Sequence, residues 1–257
     1  MGALHAGHLS LFKKARQAAG PEGSVVVSIF VNPLQFDRPD DLKNYPQTLE
    51  QDLELCQSED VNHVFCPQAS EFYASDHSIQ ILEKKLAHHL CGAARPGHFD
   101  GVCTVVQKLF NLVTPDIAVF GKKDYQQLAI IRRMVRDLSV RVEILGAETH
   151  REPDGLAMSS RNRNLTTEDR ADAPRLRKAL LAAQGLAVTG ERDPAKYLTT
   201  AQHQLKNTPK SFQLDYLELV SRETLQPLAK VSEPALLAIA AFYQGVRLID
   251  NIELNPA

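Results

Sequence analysis

The chain has 257 residues, of which 44% are hydrophobic and 23% are charged, and its formal net charge at pH 7 is −2. This length suits one large domain or two modest domains of a globular protein. The near-neutral charge gives no general reason to expect nucleic-acid binding, and no apolar run approaches the roughly 18 residues of a membrane span. The start of the chain also lacks the pattern of a signal peptide. We therefore expect a cytoplasmic protein that binds neither nucleic acid nor membranes.

The first half of the chain alternates between predicted strands and predicted helices. Leu9, Phe12, Ala15 and Ala19 recur at helical spacing, and Gly20-Pro21 ends this first helix. Further strands are predicted over 24–31, 61–66, 116–120 and 140–145, and further helices over 45–59, 81–90, 102–113 and 123–138. This alternation indicates right-handed βαβ crossovers and an α/β fold with a doubly wound, open parallel sheet of Rossmann-like type.

The pattern changes in a turn-rich segment that begins near residue 151. It predicts a long helix over 167–186, a helix over 194–205, and strands over 214–220, 236–242 and 245–251. The last two strands are separated by Tyr243-Gln244 and should form a hairpin. We therefore expect a Rossmann-like domain over 1–150 and a smaller α+β domain over 151–257.

The four cysteines are Cys56, Cys66, Cys91 and Cys103, and they form no CxxC pair and no spacing typical of a metal site. Disulfides form mainly in oxidising compartments. We therefore interpret these side chains as reduced, mostly buried thiols, in agreement with a cytoplasmic location.

The first candidate site is the segment Met1-Gly2-Ala3-Leu4-His5-Ala6-Gly7-His8, where the first predicted helix begins. Backbone N–H groups at a helix start and the positive end of its dipole attract phosphate groups. His5 and His8 lie one turn apart on one face and can add donors to such an anion. Gly7 allows a ligand to approach the backbone closely. A pair of surface or capping histidines would show the same spacing.

A second candidate is Gln35, in the segment 28–36 that follows a buried strand. In an open α/β sheet, ligands bind outside the carboxyl ends of the strands. The amide of Gln35 can both donate and accept hydrogen bonds, which suits a substrate with hydroxyl and carboxylate groups. A solvated loop amide is the simpler interpretation of this segment alone.

A third candidate, the segment 120–127, also follows a strand and opens a helix. Lys123 suits a phosphate, Asp124 suits a ribose hydroxyl, and Gln127 suits a polar substrate. Lys123 and Gln127 are four residues apart and would point the same way. Surface charge and a helix cap would also account for this pattern.

The fourth candidate is the glycine-started segment 155–162, near the predicted domain boundary. The hydroxyls of Ser159 and Ser160 and the guanidinium of Arg161 could together hold an anion. Placed between domains, such a loop could close over a nucleotide and exclude water. A helix N-cap followed by a surface arginine is the alternative.

Taken in order, these segments resemble one family. The motifs HxGH, SIFVNPxQF, RPGHF (residues 95–99), FGxKDYQQL and DGLAMSSRN match the pantothenate synthetase (pantoate–β-alanine ligase) family of the HxGH nucleotidyltransferase-like superfamily. The match runs nearly the whole chain and ends in Leu248-Ile249-Asp250-Asn251. The resemblance implies that the pantoate carboxylate attacks ATP and forms pantoyl adenylate and pyrophosphate. The amine of β-alanine then attacks the acyl carbon, which gives pantothenate and AMP.

The resemblance also implies roles for particular residues. His8 would be the proton donor, His5, Lys123 and Arg161 would complete the catalytic set, and Gln35 and Gln127 would hold pantoate, with Gln35 also near the entering β-alanine. The implied ATP-binding residues are Met1, Gly2, Ala3, Leu4, His5, Ala6, Gly7, His8, Gly121, Lys122, Lys123, Asp124, His150, Met158, Ser159, Ser160 and Arg161. The family further implies Mg²⁺ on the ATP phosphates and a homodimer formed through the first domain.

Some features depart from the family pattern. Family members carry a strand, a helix and Pro-Thr before the Met that is Met1 here, so the resemblance implies that the first sheet strand is missing. Members commonly carry an acidic pair where this chain has Gln51-Asp52, so no direct magnesium ligand is assigned. Lys122 stands where Glu is usual, and we expect a solvated surface change there.

Two alternatives to a ligase remain open. One is a nucleotidyltransferase of the same superfamily that joins a nucleotide to a phosphorylated acceptor. Its acceptor site should be rich in Lys and Arg, whereas Gln35 and Gln127 suit an uncharged hydroxyl beside a single carboxylate. The other is a nucleotide-binding protein inactivated by loss of its first strand.

Overall fold

The computed structural model describes residues 2–35 and 48–256. It confirms the α/β class, with parallel strand pairs in the first half of the chain and an antiparallel sheet at the end. The helices are α1 (Ala6–Ala19), α2 (Leu49–Ser58), α3 (Ala69–Phe72), α4 (Leu90–Ala94), α5 (His98–Val113), α6 (Tyr125–Asp137), α7 (Thr167–Asp172), α8 (Arg175–Val188) and α9 (Pro194–Gln204). The strands are β1 (Val26–Ser28), β2 (His63–Phe65), β3 (Ile117–Gly121), β4 (Glu143–Ala147), β5 (Phe212–Ser221), β6 (Ala235–Tyr243) and β7 (Val246–Leu254). Short 3-10 turns occupy Pro33–Gln35, Lys122–Asp124 and Ser160–Asn164.

The described chain divides into two compact units. The first comprises the described residues of Met1–His88, Gly92–Lys122 and Ile130–Glu148, and the second comprises His89–Cys91, Lys123–Ala129 and the described residues of Thr149–Ala257. The second unit therefore includes the first turn of α6 together with the C-terminal part of the chain.

Two short parallel pairs form the sheet structure of the first unit. β1 pairs with β2, and β3 pairs with β4. Sequence analysis predicts one open parallel sheet. In the described residues, the parallel strands form these two separate pairs. The β1 ladder is short because, after Ile29 donates to the Phe65 carbonyl, the chain enters the turn Pro33–Gln35.

The first unit has a small apolar core around α1. Phe12 of α1 is buried with Leu4, Val27 of β1 and Cys56 of α2. α1 also packs against β3 and β4. The start of α1 is therefore held beside the parallel strand pairs by apolar contacts along the helix.

The second unit is built on a three-stranded antiparallel sheet in the order β5-β6-β7. The predicted hairpin is confirmed, because Gln244 and Gly245 both have positive φ and let β6 turn directly into β7. Helix α8 packs on β6 and β7, and α9 packs on α8 and β5. Nearly every residue of β6 is buried, so the sheet carries one continuous apolar core.

The predicted helix over 81–90 is wrong. Residues 81–89 are irregular and α4 begins only at Leu90. The carboxylate of Glu83 accepts the backbone N–H groups of Lys85, Leu86 and Ala87 at 2.7–3.1 Å. These side-chain bonds satisfy backbone donors that would otherwise bond to helical carbonyl groups.

Other predicted boundaries shift for identifiable reasons. The long helix over 167–186 is interrupted between α7 and α8, because Pro174 has no N–H to continue the helical ladder. In the helix predicted over 45–59, residues 45–47 lie outside the described residues, and the described part begins at Leu49. Among the described residues, none of the helices is both long and apolar enough to span a membrane.

The four cysteines are free. Cys56 and Cys103 are buried, Cys91 is partly buried and Cys66 is exposed, so the expectation of buried thiols is met only in part. Burial raises the pKa of Cys103 to about 12, with a further contribution from Glu83 and Asp100. This thiol stays protonated and unreactive near neutral pH.

Candidate active site

The loop before α1 is held by one buried carboxylate. Asp52 of α2 is 2% exposed, and its two oxygens accept the backbone N–H groups of Ala3 at 3.0 Å and Leu4 at 2.7 Å. Thr48 adds its hydroxyl to the same carboxylate at 3.2 Å. Ala3 has a φ of 50°, a left-handed conformation that a non-glycine residue keeps only when its surroundings hold it there. Asp52 therefore fixes the path of the chain into the first helix.

His5 and His8 lie together at the start of α1. Nδ1 of His5 accepts the backbone N–H of Gly7 at 3.1 Å, and Nδ1 of His8 accepts the N–H of His5 at 3.3 Å. The ring centroids are 4.1 Å apart. Since both Nδ1 atoms accept hydrogen bonds, each neutral ring carries its proton on Nε2. The pair therefore caps the helix, as one alternative expected, and still places an N–H donor on the far side of each ring.

Gln35 ends the turn after β1, and its amide is oriented by a residue that sequence analysis did not single out. Asn32 is 2% exposed and donates from Nδ2 to Gln35 Oε1 at 3.2 Å and to the Gly101 carbonyl at 3.1 Å. The hydroxyl of Tyr73 donates to Asn32 Oδ1 at 2.9 Å. Burial raises the pKa of Tyr73 to about 12, so its hydroxyl remains a donor. Because Gln35 Oε1 is an acceptor here, the NH₂ group is the part of the amide available for donation.

The RPGHF segment holds the same turn through the backbone of Gln35. Arg95 Nη2 donates to the Gln35 carbonyl at 3.2 Å, and His98 Nδ1 donates to it at 2.7 Å. At Gly101 a Cβ atom would lie 2.4 Å from the Leu34 carbonyl oxygen, so the turn and α5 approach as closely as glycine permits. The motif that carried part of the family resemblance therefore shapes the Gln35 turn.

The first unit also places Gly121 and Lys122 at the carboxyl end of β3. The ammonium of Lys122 pairs with Glu148 at 2.5 Å. Its side chain is 21% exposed and Glu148 is 83% exposed, so the change lies at the surface but is only partly solvated. The partner carboxylate lies on the chain just beyond β4, which sequence spacing alone did not reveal.

The second unit contains Lys123, Asp124 and Gln127, at the start of α6. Lys123 Nζ lies 3.6 Å from the Asp124 carboxylate. Asn251 of β7 donates from Nδ2 to the Lys123 carbonyl at 2.9 Å. Gln127 is partly buried one turn further along the helix. The ammonium and the amide therefore share one helix start that is tied to the C-terminal sheet.

The same unit contains His150 and the segment Met158-Ser159-Ser160-Arg161. The Met158 N–H donates to the His150 carbonyl at 3.0 Å. The Ser159 hydroxyl accepts the backbone N–H of Arg161 at 3.3 Å and caps the 3-10 turn, as the alternative for this segment expected. The Arg161 side chain is exposed. Two hydroxyls and one guanidinium are thus presented on a short, capped turn.

The predicted site residues fall into two groups. The first unit contains Gly2 to His8, Gln35, Gly121 and Lys122, and the second contains Lys123, Asp124, Gln127, His150 and Met158 to Arg161. Met1 lies outside the described residues. Within 2–35 and 48–256, His, Cys, Asp and Glu side chains form no cluster of three that could hold a metal ion. The ammonium and guanidinium groups among the predicted site residues can neutralise phosphate charge, and the imidazole and hydroxyl groups can donate hydrogen bonds to phosphate oxygens.

Comparison with known proteins gives a consistent result. The family model described as pantoate-beta-alanine ligase matches residues 1–253. Pantothenate synthetase from Akkermansia muciniphila is 53% identical over 254 residues, which cover 99% of this chain and 90% of the relative. Pantothenate synthetase from Fervidobacterium nodosum is 49% identical over 255 residues, which cover 99% and 89% of the two chains.

Solved structures agree with these relatives. A crystal structure of pantothenate synthetase from Thermus thermophilus is similar with a TM-score of 0.94 and 46% identity, over 100% of this chain and 91% of that one. Pantoate-beta-alanine ligase from Francisella tularensis, complexed with beta-gamma ATP and beta-alanine, gives a TM-score of 0.76 and 35% identity, over 98% and 86%. The chain therefore belongs to the pantoate–β-alanine ligase family.

Proposed function

We propose that this protein condenses pantoate with β-alanine in an ATP-dependent reaction that forms pantothenate, AMP and pyrophosphate. A pantoate carboxylate oxygen attacks the α-phosphorus of ATP, and the bond from that phosphorus to pyrophosphate breaks. The β-alanine nitrogen then attacks the acyl carbon of pantoyl adenylate, loses a proton, and displaces AMP. The match to the family model over residues 1–253 is the observation that carries this proposal.

The proposed catalytic residues are His5, His8, Lys123 and Arg161. Displacement at phosphorus depends mainly on positioning and on neutralising charge at the leaving group. The orientation of both imidazoles, with Nδ1 accepting backbone N–H groups, supports Nε2–H donation to phosphate oxygens. We propose His8 as the proton donor, with Lys123 and Arg161 as fixed cations.

The proposed pantoate-binding residues are Gln35 and Gln127, and Gln35 also lies on the path of β-alanine. The bond from Asn32 to Gln35 Oε1 supports donation from the Gln35 NH₂ group to a pantoate oxygen. Neutral amides suit an uncharged hydroxyl beside one carboxylate better than a phosphorylated acceptor. This chemistry favours the ligase over the nucleotidyltransferase alternative.

The proposed ATP-binding residues belong to the start of α1 and the end of β3 in the first unit, and to the start of α6, His150 and the Ser159 turn in the second. They are Met1, Gly2, Ala3, Leu4, His5, Ala6, Gly7, His8, Gly121, Lys122, Lys123, Asp124, His150, Met158, Ser159, Ser160 and Arg161. The ATP named in the complex of the Francisella tularensis relative supports this nucleotide.

We propose Mg²⁺ as the ion that would accompany the ATP phosphates. The carboxylate of Asp52 is already committed to two backbone N–H groups, and the described residues contain no three-residue metal cluster. This donor set fits an ion carried by the nucleotide rather than one held by the protein alone. When bound, Mg²⁺ would supply neutralisation of phosphate charge.

Three further proposals follow from the family and the composition. Residues 1–150 would form the ATP- and pantoate-binding domain and residues 151–257 a lid domain. The protein would be a homodimer, and it would be cytoplasmic, as its free cysteines suggest. Light scattering of the purified protein tests the homodimer, because a monomer mass would contradict it.

Pyrophosphate release tests the proposed function directly. With ATP and pantoate but no β-alanine, we expect a single burst of pyrophosphate, and added β-alanine should restore continuous release and form pantothenate. Release that is independent of pantoate would contradict the proposal. Release that requires a phosphorylated acceptor would favour a nucleotidyltransferase, and ATP binding without release would favour an inactive nucleotide-binding protein.

A further inference from the structure

We propose that Asp250 and Asn251, adjacent residues of β7, are positioning residues that hold Lys123 and the Met158–Arg161 segment for the reaction. This inference rests on the function proposed above, which assigns Lys123 and Arg161 to the ATP phosphates. Both residues act through other groups, so their effect on the reaction is indirect.

Asp250 holds the segment that leads into the Ser159 turn. It is 4% exposed and forms a two-fold ion pair with Arg151, with N–O distances of 2.8 and 2.9 Å. Arg151 also donates to the Gly155 carbonyl at 3.1 Å and bridges to Ala157 through the backbone. A bidentate pair of this kind fixes both distance and orientation. Asp250 therefore fixes the tight loop whose next residues are Met158 to Arg161.

Asn251 holds the segment that carries Lys123. Its Nδ2 donates to the Lys123 carbonyl at 2.9 Å, where the chain turns into α6. Two neighbouring residues of the same helix start have tethers of their own, since Arg222 donates to the Tyr125 hydroxyl at 2.9 Å and Gln126 donates to the His89 carbonyl at 2.8 Å. Of these three hydrogen bonds, the one from Asn251 holds the backbone of Lys123.

The contacts of Asp250 with Arg151 and of Asn251 with Lys123 are both made from the same strand, β7. Successive side chains of a strand point to opposite faces, so Asp250 and Asn251 reach different segments from one stretch of backbone. Both residues are paired with the largely buried strand β6, opposite Ile239 and Ala238. The Asn251 N–H also donates to Asp250 Oδ1 at 2.7 Å. A displacement of this stretch would therefore move the ammonium of Lys123 and the Arg161 turn together.

Two variants test the role of Asn251, one nearly isosteric with the amide and one that removes it. Asn251→Asp replaces the Nδ2 donor with a carboxylate oxygen that cannot donate to the Lys123 carbonyl, and Asn251→Ala removes the amide altogether. Because a small misplacement of a reacting group can cost up to about 100-fold, we expect both variants to lower kcat/KM for ATP by about 10- to 100-fold. The KM for pantoate should stay within about twofold of the value of the unmodified protein. The hydrogen bonds of Tyr125 and Gln126 still hold the part of the helix that carries Gln127.

Asn111→Ala is the matched control. Asn111, on the exposed surface of α5, accepts a hydrogen bond from Gln107 at 2.9 Å. This variant should have the kinetics of the unmodified protein. Asn251 variants with unchanged ATP kinetics would overturn the inference. An equal loss for ATP and pantoate, accompanied by a large fall in Tm, would also overturn it, because a merely structural role predicts that pattern.

Hydrogen exchange separates this inference from the proposed function. Asn251→Asp should accelerate exchange selectively in the peptide that covers residues 122–127, and Asp250→Asn should do so in the peptide that covers 151–161. These readouts require no turnover. If the unmodified chain fails to release pyrophosphate, the proposed function fails, while the selective exchange pattern would still support the positioning roles. Unchanged exchange in both peptides would overturn them.

Discussion

The loop that carries His5 and His8 and the sheet that carries Asp250 and Asn251 are held by different forces. The histidine loop depends on two hydrogen bonds from its backbone to Asp52 and on a small apolar core around Phe12. The C-terminal sheet has strands of nine or ten residues and a continuous apolar core. A few polar contacts fix the first region, whereas extensive burial fixes the second.

The contrast between the two regions predicts which substitutions should reduce the global stability of the protein. A polar anchor can be removed with limited loss of global stability, because little apolar surface depends on it. A buried position in β6 contributes to the packing of the whole sheet, so its loss should reduce the free energy of unfolding. The four substitutions below test this contrast, beginning with the largest expected effect.

His8→Ala should lower the rate of adenylation by about 10²- to 10⁴-fold, because it removes the proposed proton donor and one phosphate contact. The Tm should fall only slightly, since His8 is partly exposed and its loss removes one capping hydrogen bond at the start of α1. Rapid-quench measurement of pyrophosphate formation checks the rate. His63→Ala, at an exposed position of the same unit, is the control. Near-normal turnover of His8→Ala would remove His8 from the mechanism.

Ile239→Ala should lower the free energy of unfolding by about 2–5 kcal/mol, the usual cost of truncating a fully buried aliphatic side chain. Ile239 is fully buried in β6. Urea denaturation followed by circular dichroism measures the change. Leu214→Ala, at an exposed position of β5 in the same sheet, should cost far less. Equal losses for the two variants would contradict the view that burial holds this region.

Asp52→Ala should destabilise the histidine loop by about 1–3 kcal/mol, because the buried N–H groups of Ala3 and Leu4 lose their acceptor. We expect a rise in the KM for ATP with unchanged KM for pantoate. Asp52→Asn retains one acceptor oxygen and should be intermediate. Glu50→Ala, at an exposed position of the same helix, is the control. Unchanged ATP kinetics for Asp52→Ala would show that the loop does not depend on this anchor.

Gln127→Ala should raise the KM for pantoate by about tenfold, the value of one hydrogen bond to a charged group. The affinity for ATP should stay nearly intact. Steady-state kinetics with each substrate varied in turn measure both effects. An equal loss for the two substrates would point to a structural role of Gln127 instead.

Much of the fold could be predicted from local patterns. The period of apolar residues predicted α1, α5 and α6, and the short polar link after β6 predicted the C-terminal hairpin. The segment 81–90 shows the limit of this reasoning. Its apolar spacing resembles a helix, but the Glu83 carboxylate binds the backbone N–H groups that the helix needs.

For the candidate site, too, part of the result could be predicted from the sequence and part could not. The motif order indicated the family, which the comparisons confirm, and the roles of His8, Lys123 and Gln35 stay predictions. Sequence analysis did not single out Asn32 or the anchoring role of Asp52. Each acts on residues that only folding brings within hydrogen-bond distance, such as Gly101 for Asn32 and Leu4 for Asp52.

The sequence by itself determined the kind of elements, the family and the chemical groups offered to a substrate, because these depend on residue type and short-range spacing. The tertiary structure decided which carboxylate holds the loop before α1, which backbone carbonyl holds the Asn32 amide beside Gln35, and which strand holds Lys123. These properties depend on hydrogen bonds between residues up to 128 positions apart in the chain. Their geometry is fixed only when the apolar core has formed and brought both partners into place.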